Sequence, residues 1–211
     1  MKSPAVEGKT VKTLIIATFN PHKVVEIKEL LPGLSLELKC LAELPGAVPA
    51  PENGDTFEAN AVEKASAAAA FSGCWALADD SGLEVDALGG APGVRSARYA
   101  GEGRSAADNN ARLLEELSAV PDGARAARFV CAVALVSPGG GAVVKRGTLE
   151  GVITRAPRGA GGFGYDPLFE AQKTGLTLAE LSSSEKNLLS HRGAALRALL
   201  PELEALAGAS R

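Results

Sequence analysis

Two hydrophobic periods alternate along this chain, and the switches between them lay out its elements. Leu14-Ile15-Ile16-Ala17, inside 11–18, is an unbroken apolar run of the kind a buried strand shows. Asn20-Pro21 ends it, and Pro21 suits the first position of a helix. From His22 to Leu31 the apolar positions Val24, Ile27, Leu30 and Leu31 fall on one helical face, and Pro32-Gly33 stops it. Leu34 to Leu38 alternates with period two, which predicts a half-buried strand. After a Pro-rich loop at 45–54, the Ala-rich stretch 55–71 predicts a helix, with Asp55 and Glu58 placed for a capping box and Gly73 for its end. Trp75–Ala78 and Leu83–Leu88 predict two short strands flanking an acidic turn, Asp79-Asp80-Ser81-Gly82. A Gly/Pro loop at 89–93 and an amphipathic helix over 105–117 follow. Residues 128–136 and 142–154 predict long paired strands joined at Gly139-Gly140-Gly141. The segment 159–166 is Gly-rich, and 185–206 predicts a C-terminal helix interrupted or kinked near Pro201. Helices and strands alternate early, and strands follow one another in the middle. That order predicts an α/β fold with a mixed sheet flanked by helices.

The chain has 211 residues, of which 46% are hydrophobic and only 4% aromatic, so its core is built from aliphatic side chains. That length reads as one two-lobed domain over 11–208, preceded by a mobile tail at 1–10. A net charge of −3 lacks the basic footprint of a general nucleic-acid binder but leaves room for a local cluster around a nucleotide. Cys40, Cys74 and Cys131 are odd in number and form no CxxC pair, which reads as reduced core thiols in a cytoplasmic protein. No apolar run approaches the roughly 18 residues of a membrane span, and the N-terminus has no long apolar segment of a secretion signal.

Several clusters could carry chemistry. Asp79 and Asp80, at the end of an apolar strand, repel unless a cation or a proton lies between them. Oxygen ligands of that kind suit Mg²⁺. Thr18-Phe19-Asn20-Pro21-His22-Lys23 passes from strand to helix start, where backbone N–H groups and a lysine favour an anion, although the Walker glycines are absent. Asn60 and Lys64 share a face of the Ala-rich helix at i and i+4, and Glu52 precedes them as a further oxygen ligand. Gly161-Gly162-Phe163-Gly164-Tyr165-Asp166 places an aromatic in a permissive backbone, able to stack on a base. Lys186 and Ser190-His191-Arg192-Gly193 gather donors near the last helix. No Cys or carboxylate stands at metal-ligand spacing from His191, so a zinc site is excluded, and no GxSxG suggests a serine nucleophile. Taken one at a time, each cluster also reads as an ordinary surface pair, turn or hairpin end.

Taken in order, these segments, together with Thr56-Phe57-Glu58-Ala59-Asn60-Ala61, Gly90-Ala91-Pro92-Gly93 and Ser96-Ala97-Arg98-Tyr99, resemble the inosine/xanthosine triphosphate pyrophosphatase family from about Leu14 to Leu200. The resemblance implies a mixed α/β fold of two lobes around a cleft and a homodimer. The activity it implies is Mg²⁺-dependent hydrolysis of the deaminated purine nucleoside triphosphates ITP, dITP and XTP to monophosphate and pyrophosphate. By the same resemblance, Asp80 is the catalytic proton acceptor and a metal ligand, and Glu52 and Asp79 help hold the Mg²⁺. Thr18, Phe19, Asn20, Pro21, His22, Lys23, Lys64 and Lys186 surround the triphosphate, and Ser81 touches substrate. Phe163, Gly164, Tyr165, Asp166, His191 and Arg192 read the base. Two positions depart from the pattern: Phe19 stands where the family commonly has Gly. Ala59 stands where it often has Glu, so that a supporting contact there is either lost or taken by Glu58. The rival readings are a related pyrophosphatase for modified pyrimidine or standard nucleotides, and a non-catalytic nucleotide-binding regulator. A haloacid-dehalogenase-like phosphatase would need a DxD spacing that Asp79-Asp80 lacks.

Overall fold

A computed structural model describes residues 11–208; the tail expected at 1–10 lies outside them. Six strands form one mixed sheet: β1 (Lys12–Ile16), β2 (Leu36–Cys40), β3 (Trp75–Val85), β4 (Ala126–Val136), β5 (Ala142–Ile153) and β6 (Phe169–Ala171), in the order β2-β1-β3-β4-β5-β6. β1 runs parallel to both β2 and β3, and the remaining neighbours are antiparallel. The helices are α1 (Pro21–Leu30), α2 (Phe57–Ser72), α3 (Ala106–Glu116), α4 (Ser183–Leu189) and α5 (His191–Gly208). The predicted α/β class and mixed sheet are borne out.

The chain enters α1 through Asn20, whose side-chain oxygen accepts from the backbone N–H groups of His22 and Lys23. Parallel neighbours need crossover helices, and these lie on opposite faces. α1 and α5 pack with Leu14, Ile16 and Leu77 on one face. The alanines of α2 pack with Ile15, Ala76 and Ala78 on the other. A third core, containing Leu83, Val85, Leu113, Phe129 and Phe169, fills the far half of the long strands. α5 lies directly on the sheet where β5 carries Gly147. A Cβ there would come within 2.5 Å of the Ala195 nitrogen and 2.9 Å of the Ala194 Cβ.

Four details depart from the pattern-based reading. Asp79 and Asp80 are not in a turn; β3 runs unbroken from Trp75 to Val85, because Ala78 to Leu83 pair residue by residue with β4. Pairing with a central neighbour overrides the turn tendency of Asp, Ser and Gly. Thr56, not Asp55, caps α2, accepting from the Ala59 N–H. The last helix breaks at Ser190 rather than near Pro201, which lies inside α5. Ser190 is extended, and its hydroxyl accepts from the Gly193 N–H, a cap that starts a new helix. Glu58 pairs outward with Arg146 at 2.9 Å and so does not replace the side chain missing at Ala59.

Gly147→Ala should cost about 1–3 kcal/mol of stability, the usual range for overpacking a close contact. Urea unfolding checks this, and an unchanged midpoint would show that α5 can lift from the sheet freely.

Candidate active site

β1 is shorter than β3, and the site lies in the gap that this leaves. The parallel pairing ends at Ile16 opposite Leu77, with one further bond from the Ala17 N–H to the Leu77 carbonyl at 2.7 Å. Beyond it β1 turns into α1 while β3 continues through Asp79 and Asp80. The open edge is met farther along by the 3₁₀ turn at Gly93–Arg98, where Ser96 Oγ accepts from the Leu83 N–H. Ligands of open α/β sheets gather in such crevices beyond the C-terminal ends of parallel strands.

Successive strand residues point to opposite faces, so the two aspartates part company. Asp80 faces α2. Its Oδ2 accepts from Asn60 Nδ2 at 3.1 Å, and its Oδ1 lies 2.8 Å from Lys64 Nζ. The same ammonium lies 2.8 Å from Glu52 Oε1, and Arg98 stands 3.6 Å from Glu52 Oε2. Asp79 faces α1 and α5. Its Oδ2 lies 2.9 Å from Lys23 Nζ and 3.0 Å from an Arg192 guanidinium nitrogen, and it accepts from the Ser81 hydroxyl at 2.8 Å.

The network runs on from Arg192 to Glu26, then to Lys186 Nζ at 2.7 Å from Glu26 Oε1. Lys186 also lies 2.7 Å from Asp166 Oδ2, which accepts from the Phe163 N–H at 2.8 Å. Tyr165 is buried, and its hydroxyl donates to the Ser96 carbonyl at 2.8 Å. The His191 ring is buried and stacks on Phe129 at 4.8 Å, with its Nδ1 unpartnered.

These surroundings push adjacent carboxyls in opposite directions. Burial alone would raise Asp79, but Lys23, Arg192 and Lys64 outweigh it and hold its carboxyl well below the usual carboxylate range. For Asp80 burial wins: its carboxyl is raised even though Lys64 and Asn60 favour the anion. Burial tends to lift Glu52 too, but Lys64 dominates and brings it down. Burial also lifts Asp166 against the pull of Lys186. His191 is driven well below its ordinary value by burial and by Arg192 and Lys186, so its ring is neutral.

Most of the residues expected from the sequence converge. Asn20, His22, Lys23, Glu52, Asp80, Ser81, Phe163, Gly164, Tyr165, Asp166, Lys186, His191 and Arg192 line one cavity of about 400 Å³. Thr18, Phe19 and Lys64 line a second, of about 470 Å³, which shares Asn20, Lys23 and Glu52 with the first. Pro21 lines neither and serves to start α1, and Asp79 supports the cavity from beneath. Asp79 therefore does not join Glu52 and Asp80, and among the described residues no three His, Cys, Asp or Glu side chains cluster as a metal cage. Glu52 and Asp80 alone, converging on the Lys64 ammonium, make a two-carboxylate oxygen set. That is a donor set Mg²⁺ accepts when phosphates and water complete its shell.

Glu26 escaped the sequence reading. The available signal was an acid one residue before Ile27 on the buried side of α1, one turn after Lys23. Arg192, expected to meet a base, is only 2% exposed and is held by Asp79 and Glu26.

Asp79→Asn should cost about 3–5 kcal/mol, because it strips a buried partner from Lys23 and Arg192. Asp80→Asn should change stability by no more than about 1 kcal/mol. Chemical denaturation of the two isosteric variants makes the comparison, and equal losses would contradict the division of roles between neighbours.

Comparison with known proteins places this architecture. The Ham1 family profile matches residues 14–202. A Geobacter sulfurreducens protein named dITP/XTP pyrophosphatase is 53% identical over 190 residues, covering 90% of this chain and 96% of the relative. A Bacillus subtilis protein of the same name is 47% identical over 194 residues, covering 92% and 98%. The solved structure of a HAM1 protein from Coxiella burnetii superposes with a TM-score of 0.83 at 42% identity, covering 92% of this chain and 98% of that one. The chain belongs to the Ham1 family, which bears out the resemblance read from its motifs.

Proposed function

We propose that this chain hydrolyses deaminated purine nucleoside triphosphates (dITP, XTP and ITP) to the monophosphate and pyrophosphate, keeping such bases out of the nucleotide pool. Relatives near 50% identity that are named dITP/XTP pyrophosphatase support the reaction. The observation that carries the chemistry is the opposed behaviour of Asp79 and Asp80. Environments that drive paired carboxyls apart assign their roles. Asp79 stays an anion and holds Lys23 and Arg192. Asp80, whose carboxyl burial raises above its ordinary value and which lines the cavity, is the proton acceptor for an attacking water.

Lys23, which lines both cavities, and Lys64, which lines the second, bind the triphosphate with the Thr18–Asn20 corner. Asp80 and Glu52 are the residues that would hold Mg²⁺, which when bound neutralises phosphate charge and polarises the phosphoryl oxygens. Asn60 fixes the orientation of Asp80 through Oδ2. Phe163 offers a ring for the base, and the backbone around Gly164 and Tyr165, with His191 and Arg192 behind it, forms the end of the pocket. Inosine and xanthine present an acceptor at C6 where adenine presents a donor. A donor facing that position pairs with the carbonyl and is left unpaired by adenine. Such mispairing discriminates by roughly 10⁴-fold, where a merely apolar pocket manages about 10²-fold.

The family resemblance supports a homodimer as the working form, and the free thiols of Cys40, Cys74 and Cys131 support the cytoplasm as its location. No helix among the described residues is long and apolar enough to cross a membrane.

The test is a panel of triphosphates with pyrophosphate and orthophosphate assayed separately, with Mg²⁺ and with a chelator. ITP, dITP and XTP should release pyrophosphate only when the divalent ion is present, and ATP and GTP poorly. Similar kcat/KM for ATP and ITP would favour a broad-range pyrophosphatase. Asp80→Asn should lower kcat by at least about 10²-fold while the variant stays folded. Near-normal turnover would remove Asp80 from the chemical step.

A further inference from the structure

One contact at the mouth of the cavity has no part in the network. The ring of His22, exposed on the first turn of α1, stacks on the ring of Phe163 with centroids 5.4 Å apart and planes 18° from parallel. Both side chains line the 400 Å³ cavity. The stack joins the β1–α1 corner to the Gly-rich loop between β5 and β6. Lys186 Nζ lies over the Phe163 ring as well, 4.6 Å from its centroid, but that ammonium is buried and fixed by Glu26 and Asp166.

We propose that His22 occupies, in the free protein, the place on Phe163 that the purine takes in the complex, so that base entry and withdrawal of His22 are one event. The inference rests on the reading of Phe163 as the stacking platform for the base. Geometry excludes simple insertion. A purine sandwiched between two rings needs them about 7 Å apart, twice the contact distance of roughly 3.5 Å, and these rings are closer. One of the two must move. Phe163 is held at its backbone, where its N–H donates to Asp166 at 2.8 Å. The His22 backbone is held too, its N–H donating to Asn20 Oδ1 at 2.9 Å, but its side chain is exposed and can rotate into solvent. His22 is thus the ring that yields.

An occupied platform reduces apparent affinity by the fraction of time it is covered. An aromatic pair of this kind corresponds to a factor of about two to twelve. Stacking of a base on an aromatic exceeds it, so the purine displaces the imidazole. The consequence is selective: a ligand that stacks poorly or lacks a base leaves His22 in place.

The test compares the unmodified protein with His22→Ala, Phe163→Leu and the double variant, using three probes. Binding of IMP, KM for ITP, and inhibition by inorganic tripolyphosphate report on base and phosphates separately. His22→Ala should tighten IMP and lower KM for ITP by about three- to tenfold, and leave tripolyphosphate inhibition unchanged. Phe163→Leu should weaken IMP and abolish the gain from His22→Ala in the double variant. If His22→Ala instead weakens tripolyphosphate and raises KM, His22 is a phosphate ligand and the proposal is overturned. If Phe163→Leu weakens IMP but His22→Ala does not tighten it, the His22 proposal alone falls. If Phe163→Leu leaves IMP binding unchanged, the stacking platform itself is wrong and the proposal falls with it.

Discussion

The buried ion pair between Asp79 and Arg192 is the constraint on which the rest of this site depends. A charge taken out of water at these positions is tolerable only where its partner's geometry is good. Here the partners come from three elements far apart in sequence. Asp79 lies on the central strand, Lys23 on the first helix and Arg192 on the last, and Glu26 returns the chain of contacts to the first helix. Lys186 and Asp166 extend it into the loop that carries Phe163. Satisfying these charges fixes where α1, α5 and the Gly-rich loop stand around the cavity. Moving any one would leave a buried charge uncompensated.

The sheet converts sequence adjacency into chemical division. Neighbouring strand residues face opposite ways, so Asp79 and Asp80 share a peptide bond but no environment. One has Lys23 and Arg192 on its Oδ2 and is held well below the usual carboxylate range. The other, buried against small alanines with a lysine and an amide beside it, has its carboxyl raised by burial. The crevice that Asp80 lines comes from β1 stopping at Ile16 while β3 runs on to Val85.

Much of this was legible in the sequence, for physical reasons that differ by element. The first strand and α1 announce themselves through an apolar run, a proline and a helical face. The β4–β5 pair shows as one long apolar stretch and one alternating stretch around three glycines. Asn60 and Lys64 were readable as one face of α2, and both reach Asp80. The unbroken course of β3 was not legible, since Asp, Ser and Gly favour a turn locally and only pairing with β4 makes a strand of them. Glu26 stayed hidden because one acid in an amphipathic helix has no periodicity. The fate of Arg192 stayed hidden because burial of a guanidinium depends on residues more than a hundred positions away. The Ser190 break lost to Pro201 in a reading that weights proline above a serine cap.

The charges of the site nearly cancel. Lys23, Lys64, Arg98, Lys186 and Arg192 are matched by Glu26, Glu52, Asp79, Asp80 and Asp166, in a chain whose formal charge is −3. A cleft of that kind casts no strong positive field into solution, so small free anions have little reason to linger in it. Long-range steering, which raises encounter rates for oppositely charged partners and fades with salt, has little to act on here. Arrival would then be governed by unguided diffusion and depend weakly on ionic strength. Discrimination among nucleotides falls to contacts made after entry.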